Sequence, residues 1–353
     1  MSRFLSNRFA SLDAYVPGEQ PSEMKLIKLN TNESPYPPSP GVIAAVSEDE
    51  ICKLKLYPNP DGMRLINKLA SHYEVNPENV IIGNGSDELL AFSFLAFFDD
   101  GVVFPDITYG FYPVYAGLYN VPFQEIPLLE DLSADINDYI NINKNIIIAN
   151  PNAPTGIALE LDDIEKMAQS NPNHIIIIDE AYVDFGASSA ISLTHKYDNL
   201  LIIHTYSKAR SMAGARLGFA IGSAPIIEDL NKMKFSFNPY NVNRLTQVMG
   251  EAAIDEDLYY KEKQREIVAT REYTQMCLQE LGFSMTNSKA NFLFAKYPDI
   301  EGYKLYTELK NRSILVRQWN KPRISDYIRI TVGTREQMDV LIAAIKEILN
   351  ENR

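Results

Sequence analysis

A lysine and an arginine stand close together after an apolar run in the segment HTYSKARSMAGARLGF, residues 204–219. The run NLLIIHT predicts a buried strand, so Lys208 comes directly after the core, and Arg216 follows eight residues later. A lysine in this place must either reach water or take part in function. A partly deprotonated amine forms a Schiff base with an aldehyde, and an arginine binds a phosphate in bidentate geometry. A single lysine is ordinarily solvated, so the rest of the sequence has to decide.

Two further polar segments follow predicted strands. GNGSDE (83–88) opens the predicted helix SDELLAFSFLAFF, with Ser86 or Asp87 as its cap. The backbone N–H groups at a helix N-terminus suit a phosphate, although this segment alone equally predicts an ordinary glycine turn. NPNAPTG (150–156) follows NIII and is made rigid by two prolines and a glycine. There Asn152 could present its amide to a ligand, or the segment could be a plain turn.

A third segment, IIIIDEAY (175–182), ends an apolar strand with acidic residues. An acid in this position is costly unless it is paired. Asp179 could cap a helix or form a surface salt bridge, or it could hold a protonated ring nitrogen. Tyr182 could then form a hydrogen bond with a phenolic oxygen.

The conjunction of these segments is more informative than any one of them. Each group in the set matches one functional group of pyridoxal phosphate. The pairs are the aldehyde with Lys208, the pyridinium with Asp179, the ring hydroxyl with Tyr182 and Asn152, and the phosphate with Arg216 and the 85–87 turn.

Short apolar strands alternate with amphipathic helices from about residue 62 onwards, which predicts an α/β fold with a mainly parallel sheet covered on both faces. Ligands bind at the carboxyl ends of the strands in such sheets. Residues 1–40 are rich in proline and predict an extended N-terminal arm that packs on the smaller of two domains. We expect a large domain over residues 41–250 and a small α/β domain over residues 251–353.

Composition excludes several classes of function. A net charge of −13 argues against a nucleic-acid-binding surface, which needs clustered lysine and arginine. Cys52 and Cys277 lie far apart, and the four histidines are scattered, so we expect neither a disulfide framework nor a metal site. No signal peptide and no membrane span is predicted, so we expect a cytoplasmic protein.

The chain resembles the fold-type I pyridoxal-phosphate-dependent aminotransferases and, among them, the histidinol-phosphate aminotransferase family. The motifs that carry the resemblance are LDAYVPG, LNTNESPYPPSP, LYPNPDGMRL, GNGSDE, DITYGFY, NPNAPTG, DEAYVDF, TYSKARSMAGARLGF, ANFLF, ILVR and IRITVG. The resemblance implies a seven-stranded sheet between helices, pyridoxal 5'-phosphate as cofactor, and a homodimer with shared sites. It also implies amino transfer between L-histidinol phosphate and 2-oxoglutarate in histidine biosynthesis, in two half-reactions through the pyridoxamine form.

The resemblance further implies a role for each matching residue in the chemistry. Lys208 would form the Schiff base and then move a proton as general base and acid, while Asp179 keeps the pyridine nitrogen protonated. Tyr182 would hold the ring hydroxyl, and Tyr109 would stack on the ring.

Further residues match positions that bind the phosphate or the substrate. The phosphate would be held by Gly85, Ser86, Asp87, Ser207 and Arg216, with Thr205 as a rival to Ser207, and by Tyr57 of the neighbouring subunit. The acidic end of the substrate would be held by Arg317 and Arg329, with Tyr15 and Tyr36 shaping the pocket.

The sequence departs from the family pattern at a few positions. The residue before PTG is Ala153 where relatives often have asparagine, so we carry the ring-hydroxyl contact to Asn152. Ser34 stands where the arm often has asparagine. The segment RQWNKPR is unusual, and its Trp319 and Arg323 could rim the pocket or pack the small domain.

Other functions share most of these features. Aromatic-amino-acid aminotransferases and threonine-phosphate decarboxylases need similar groups, since the arginines specify only an anion. A ligand-sensing regulator with this fold would carry a DNA-binding module, and no helix-turn-helix precedes residue 30. In a plain α/β binding protein, Lys208 would be a solvated lysine.

Overall fold

The computed structural model describes residues 2–9, 12–20 and 26–352. The strands are β1 (Ile27–Lys28), β2 (Val80–Gly83), β3 (Val102–Pro105), β4 (Phe123–Ile126), β5 (Asn145–Ala149), β6 (Ile176–Asp179), β7 (Leu200–Thr205), β8 (Gly218–Gly222), β9 (Ser284–Met285), β10 (Phe292–Lys296), β11 (Ile314–Leu315), β12 (Arg317–Gln318) and β13 (Ile328–Thr331). The α-helices are α1 (Pro40–Ala45), α2 (Glu48–Cys52), α3 (Met63–His72), α4 (Ser86–Phe97), α5 (Phe111–Tyr119), α6 (Leu161–Ser170), α7 (Ala224–Phe237), α8 (Arg244–Asp255), α9 (Asp257–Glu280), α10 (Gly302–Asn311) and α11 (Arg335–Glu351).

Seven strands form the central sheet, in the order β2-β8-β7-β6-β5-β3-β4. All neighbours are parallel except β8, which runs antiparallel to both β2 and β7. Strand β6 shows why the central strands read as continuous apolar runs. Ile176 and Ile178 pack in one core cluster and Ile177 packs in the other, so both faces of the sheet are buried. The predicted seven-stranded, mainly parallel sheet between helices is confirmed.

A second, antiparallel sheet lies in the C-terminal part of the chain, in the order β12-β13-β10-β9. Helices α10 and α11 pack on it around a core that includes Leu309, Ile330 and Leu341. The N-terminal arm joins this unit, because β1 pairs in parallel with β11, with Ile27 opposite Ile314. Arm residues therefore lie near residues that come about 290 positions later in sequence.

One local prediction was wrong. Helix α4 is capped by Gly85, at φ 78°, and neither Ser86 nor Asp87 caps it with a side chain. Strands β11 and β12 are separate, because each pairs with a different partner.

Among the described helices, none combines the length and the apolar character that crossing a membrane requires.

Candidate active site

A cavity of about 160 Å³ lies at the carboxyl edge of the central sheet. Strands β5, β6 and β7 end there in register, since Ala149 pairs with Asp179 and Asp179 pairs with Ile203. Most of the predicted cofactor residues line this one cavity. They are Ser86, Asp87, Tyr109, Asp179, Tyr182, Thr205, Ser207, Lys208 and Arg216.

Lys208 lines the cavity and is half-buried. Its Nζ donates a hydrogen bond to the backbone carbonyl of Thr31 at 3.1 Å, and it lies 5.8 Å from the centre of the Tyr182 ring. The N-terminal arm thus supplies a partner for the lysine. This partner is a neutral carbonyl, so the hydrogen bond holds the amine in place without itself bringing a charge next to it.

Asp179 is a buried carboxylate at the base of the cavity. It accepts hydrogen bonds from the hydroxyl of Tyr112 and from the backbone N–H of Ala181, both at 3.2 Å. Burial raises the pKa of Asp179 to about 7, although these two hydrogen bonds oppose the shift. A cation placed against this carboxylate would favour its ionised form, which is the environment that a pyridinium nitrogen needs.

The N-terminus of helix α4 forms one wall of the cavity. Gly85 is its cap, so the first N–H groups of the helix are free of a side-chain cap and can bind an anion. Strand β8 approaches closely, because a Cβ on Gly218 would lie 2.4 Å from the backbone nitrogen of Ser86. Arg216 stands between these elements in the left-handed conformation, with φ 56°.

Asp87 holds two other site residues by its side chain. It accepts a hydrogen bond from Arg216 Nη2 at 2.6 Å and another from the hydroxyl of Tyr109 at 2.7 Å. The carboxylate therefore fixes the arginine above the helix N-terminus and orients the Tyr109 ring. The backbone of Asp87, rather than its side chain, is the part that suits an anion.

The hydroxyls of Thr205 and Ser207 differ in the hydrogen bonds that they form. Thr205 Oγ1 donates to Ser207 Oγ at 2.9 Å and accepts from the Ser207 backbone N–H at 3.1 Å. The hydroxyl hydrogen of Ser207 is therefore free to donate to an anion. This geometry favours Ser207 over Thr205 for that contact.

Tyr182 is oriented by a residue that the sequence did not indicate. Asn32 Nδ2 donates to the Tyr182 hydroxyl at 3.0 Å, and Asn32 is in turn held by Thr331 Oγ1, which donates to its Oδ1 at 3.0 Å. Since Tyr182 accepts from Asn32, its own hydroxyl hydrogen is free to donate to a ring oxygen.

The structure does not bring Asn152 to this cavity. Its amide oxygen accepts from Thr108 Oγ1 at 2.8 Å, and its nitrogen donates to the Ile107 carbonyl at 2.9 Å and to Thr155 Oγ1 at 3.1 Å. Ala153 takes the position that faces the cavity. The amide of Asn152 holds the neighbouring loop by hydrogen bonds instead, so its predicted contact with the ring hydroxyl has no support in this geometry.

A second cavity, of about 300 Å³, adjoins the first and shares Thr31, Tyr109, Ala153, Tyr182 and Lys208 with it. Its other walls include most of the predicted substrate residues, namely Tyr15, Arg317 and Arg329, together with Trp319.

The two arginines bring positive charge to this second cavity. Arg329 Nη2 donates to the Asn30 carbonyl at 3.0 Å, while its buried Nε has no hydrogen-bond partner. Arg317 donates to the backbone carbonyls of Pro17 at 3.4 Å and Val16 at 3.2 Å. Within the described parts of the chain, neither arginine forms a salt bridge with a carboxylate. Burial lowers the pKa of Arg329, and an anionic ligand would relieve this cost.

Tyr15 and Trp319 form aromatic walls around these charges. Tyr15 stacks on Phe111 at 4.2 Å between ring centres, and burial raises its pKa. Trp319 lies 5.5 Å from the guanidinium of Arg317 and 5.1 Å from that of Arg329. Trp319 also packs on a small apolar cluster that joins residues of both units, including Ile107 and Phe294.

Besides Gly85, Asn152 and Arg323, two more predicted residues line neither cavity. Tyr57 is 77% exposed and stacks on Tyr240 at 4.5 Å, so within one chain it reaches neither cavity. Tyr36 packs beside Lys263 and Glu266, and burial together with Glu266 raises its pKa to about 12. Its predicted part in the substrate pocket has no support in this geometry.

Sequence reasoning missed Thr31, Asn32 and Tyr112. Thr31 acts through its backbone carbonyl, which no residue pattern can show. Asn32 had a weak signal, because it belongs to the polar run LNTNES, but its partners Tyr182 and Thr331 are distant in sequence.

In the described part of the chain, no group of histidine, cysteine, aspartate or glutamate side chains is arranged to hold a metal ion.

Comparison with known proteins places this geometry in a family. The model of the aminotransferase class I and II family matches residues 24–345. A histidinol-phosphate aminotransferase of Brachyspira hyodysenteriae is 49% identical over 352 residues, covering 99% of each chain. One from Clostridium botulinum is 46% identical, covering 99% of this chain and all of the relative.

A solved structure shows the same fold. The histidinol-phosphate aminotransferase of Sinorhizobium meliloti, in complex with pyridoxal 5'-phosphate, superposes with a TM-score of 0.89 at 23% identity and covers the full length of both chains. The family match and the full-length identity to the first two relatives go further than fold, and they show that this chain belongs to the aminotransferase class I and II family and, within it, to the histidinol-phosphate aminotransferases.

Proposed function

We propose that this pyridoxal-phosphate-dependent aminotransferase transfers the amino group of L-histidinol phosphate to 2-oxoglutarate, giving imidazole acetol phosphate and L-glutamate in histidine biosynthesis. One observation carries the proposal. Lys208 lines both the cavity that contains Asp179 and the cavity that contains Arg317 and Arg329. An amine substrate can therefore meet the cofactor and an anion-binding site at the same time.

The residues present fit the cofactor. Asp179 is buried and accepts hydrogen bonds from neutral donors, so it suits a protonated ring nitrogen. Gly218 leaves room for the close approach of Ser86 and Gly85, so the helix N-terminus stays open to a phosphate. When bound, pyridoxal phosphate supplies an aldehyde for the substrate amine and a ring that withdraws electrons from the substrate carbon.

Five side chains would hold this cofactor. Ser207 and Arg216 would donate to the phosphate, together with the backbone N–H groups at the start of α4. Tyr109 would cover the ring, and Tyr182 would donate its free hydroxyl hydrogen to the ring oxygen. Asp179 keeps the ring nitrogen protonated, because it is ionised when a cation lies against it.

Lys208 would perform the proton transfer. Its side chain lines both cavities, so its amine could take a proton from the substrate carbon and deliver it to the aldehyde carbon of the cofactor. The carbonyl of Thr31 accepts a hydrogen bond from Nζ and so keeps the amine near this position. A rigidly placed general base avoids the entropic cost of finding its proton.

Arg317 and Arg329 would hold the phosphate of the donor and then the carboxylates of 2-oxoglutarate. The unpartnered Nε of Arg329 offers a charged donor inside the cavity. The names of relatives at 46–49% identity favour histidinol phosphate over other anionic amines.

We also propose a homodimer with shared sites. Tyr57 is exposed beside Leu54, Leu56 and Tyr240, which are exposed as well. An apolar surface of this kind favours association, and Tyr57 would then reach the phosphate site of the partner subunit. Mixing Lys208→Ala with Tyr57→Phe subunits tests this, because hybrid dimers regain one complete site and more activity than either parent.

The domain division stays a proposal, with an arm over residues 1–40, a large domain over 41–250 and a small domain over 251–353. The cytoplasmic location likewise stays a prediction.

A panel of amino donors in single turnover tests the function. The holoenzyme is mixed with one donor and no acceptor, and the visible absorbance of the aldehyde form is followed. L-histidinol phosphate should abolish this absorbance quickly, and 2-oxoglutarate should restore it. A much faster reaction with L-phenylalanine would support an aromatic-amino-acid aminotransferase instead, and release of CO₂ from L-threonine O-phosphate would support a decarboxylase.

A lysine variant tests the site assignment. Lys208→Ala should lose the cofactor absorbance that survives in the denatured wild-type protein after reduction with borohydride. Lys346→Ala, on the exposed face of α11, is the matched control and should keep it. Retention of the covalently bound cofactor in Lys208→Ala would disprove the assignment.

A further inference from the structure

The loop between β12 and β13, residues 319–327, reaches from the C-terminal sheet to the large central unit. We name it the latch loop. It carries Trp319, Lys321 and Ile324, all of which line the substrate cavity. The position of this loop therefore sets the shape of one cavity wall.

Arg323 binds the latch loop to the central unit through one side chain. Its Nη1 lies 3.1 Å from Asp106 Oδ2, and its Nη2 donates to the carbonyls of Leu128 at 2.8 Å and Leu129 at 2.5 Å. Lys321 Nζ adds a hydrogen bond to the Asp106 carbonyl at 2.6 Å. Arg323 itself has a left-handed backbone, with φ 68°, which is unfavourable for a residue with a side chain. The three acceptors compensate for this strain.

The latch loop is stiff by itself. Gln318 Nε2 donates to the carbonyls of Trp319 and Ser325, both at 2.8 Å, and so ties the two ends of the loop together. Below it, Ile324 packs with Ile107 and Leu128 in a small apolar cluster. The loop is therefore a stiff unit, and Arg323, together with Lys321, holds it against Asp106.

The segment that Arg323 grips also carries Tyr109. Asp106 precedes Tyr109 by three residues, and the amide of Asn152 forms hydrogen bonds with the intervening Ile107 and Thr108. The latch loop and Asn152 thus both hold this segment. Movement of the latch loop would change both the Trp319 wall and the support of Tyr109.

We propose that Arg323 is a positioning residue that keeps the latch loop closed and thereby sets the affinity for the amino donor. This inference rests on the proposed function, because it assumes that the donor occupies the cavity lined by Trp319. A donor selects the closed form, so a variant that opens part of the time has a higher KM. At saturating donor the closed form is restored, so kcat changes little.

Two measurements on the holoenzyme test the proposal. In the first, Arg323→Ala should raise KM for L-histidinol phosphate roughly tenfold, because the loop is then open for part of the time, while kcat stays within about twofold. In the second, acrylamide quenching follows Trp319, the only tryptophan in the chain. The quenching constant should rise in Arg323→Ala without any substrate present.

Matched variants separate positioning from general stability. Arg323→Lys keeps the charge but cannot reach all three acceptors, so both values should fall between those of wild type and Arg323→Ala. Arg312→Ala removes an arginine with three hydrogen bonds, to Glu308 and Glu351, that lines neither cavity, and it should change neither value. Asp106→Asn in the Arg323→Ala background should add less than it does alone, because the two residues act as one contact.

An unchanged KM together with unchanged quenching in Arg323→Ala would overturn the proposal, as would a fall in kcat at constant KM. Failure of the proposed function would show in a different measurement, as a lack of reaction between L-histidinol phosphate and the wild-type enzyme. In that case the ratio of KM between variant and wild type is measured with the donor that the wild type uses. If Arg323→Ala does not fold, Arg323→Lys decides on the same two readouts.

Discussion

The hydroxyl of Tyr112 donates a hydrogen bond to the carboxylate of Asp179 over 3.2 Å, and both residues are buried beneath the cofactor cavity. This contact and the backbone N–H of Ala181 are neutral partners for the acid. They lower its pKa less than burial raises it, so the pKa lies near 7. A cation beside Asp179 would therefore stabilise its ionised form. This environment suits a carboxylate that must keep a pyridine ring protonated.

The first prediction concerns the pH dependence of the apoenzyme. The folded protein binds a proton on Asp179 up to about pH 7, whereas the unfolded chain releases it near 3.8. Since the folded state binds more protons in this window, the free energy of unfolding should fall as pH rises from about 4 through 7. Each pH unit of the shift corresponds to about 1.4 kcal/mol, so the loss is on the order of a few kcal/mol. Urea unfolding of the apoenzyme at pH 5 and pH 8 measures it.

Two variants control this prediction. Asp179→Asn should remove most of the decline, because an amide does not titrate. Tyr112→Phe removes a hydrogen bond that lowers the pKa of Asp179, so its decline should extend to higher pH. Equal pH dependence in wild type and Asp179→Asn would show that this carboxylate does not control the stability of the apoenzyme.

The second prediction concerns the close approach of strand β8 to helix α4. A Cβ on Gly218 would lie 2.4 Å from the nitrogen of Ser86, so Gly218→Ala must displace the helix N-terminus. We expect the dissociation constant of pyridoxal phosphate to rise by about tenfold or more, since the N–H groups no longer point at the phosphate. Titration of the apoenzyme, followed by visible absorbance, measures it.

Gly214→Ala is the matched control for Gly218→Ala. A Cβ at Gly214 meets nothing within 4 Å, although the glycine lies in the turn just before Arg216. Its cofactor affinity should stay within about twofold of wild type. A similar loss in both variants would place the effect in the turn rather than in the contact with α4.

Much of the architecture could be predicted from local pattern. The run IIIID predicts a strand that is buried on both faces and ends at the sheet edge, and the observed core clusters place Ile177 opposite Ile176 and Ile178. Lys208 and Arg216 follow β7 in sequence, and strand ends in a parallel sheet meet at one edge. Their position at this edge was therefore also predictable from sequence.

Other parts of the site depend on contacts that local pattern does not encode. Asn32 reaches Tyr182 because the arm folds back beside β13, where Thr331, 299 residues away in sequence, holds it. Asn152 points away from the cavity because its amide bonds with Thr108, and a one-residue offset in a loop reverses such a direction. Gly85 replaces the predicted side-chain cap of α4, since an open helix end is needed where an anion binds.

The third prediction compares the two substrate arginines. Arg329→Lys should lower kcat/KM for L-histidinol phosphate by roughly 10²-fold, because a lysine loses the buried Nε donor and the planar fork. Arg317→Lys should cost only about tenfold, since Arg317 is a less buried donor that is shared with the arm backbone. Steady-state kinetics measures both. An equal loss would mean that burial does not decide the contribution of each arginine.

The last prediction decides which residue supports the ring hydroxyl. Asn152→Ala removes three hydrogen bonds, two with the loop that carries Ile107 and Thr108 and one with Thr155, so the free energy of unfolding should fall by about 2 kcal/mol. The pH midpoint of the cofactor absorbance should stay unchanged, because the amide does not reach the cavity. Tyr182→Phe should have the opposite profile, with a shifted midpoint and a smaller loss of stability. A shifted midpoint in Asn152→Ala would show that the amide turns toward the ring when the cofactor binds, and would restore the role that its place in NPNAPTG first indicated.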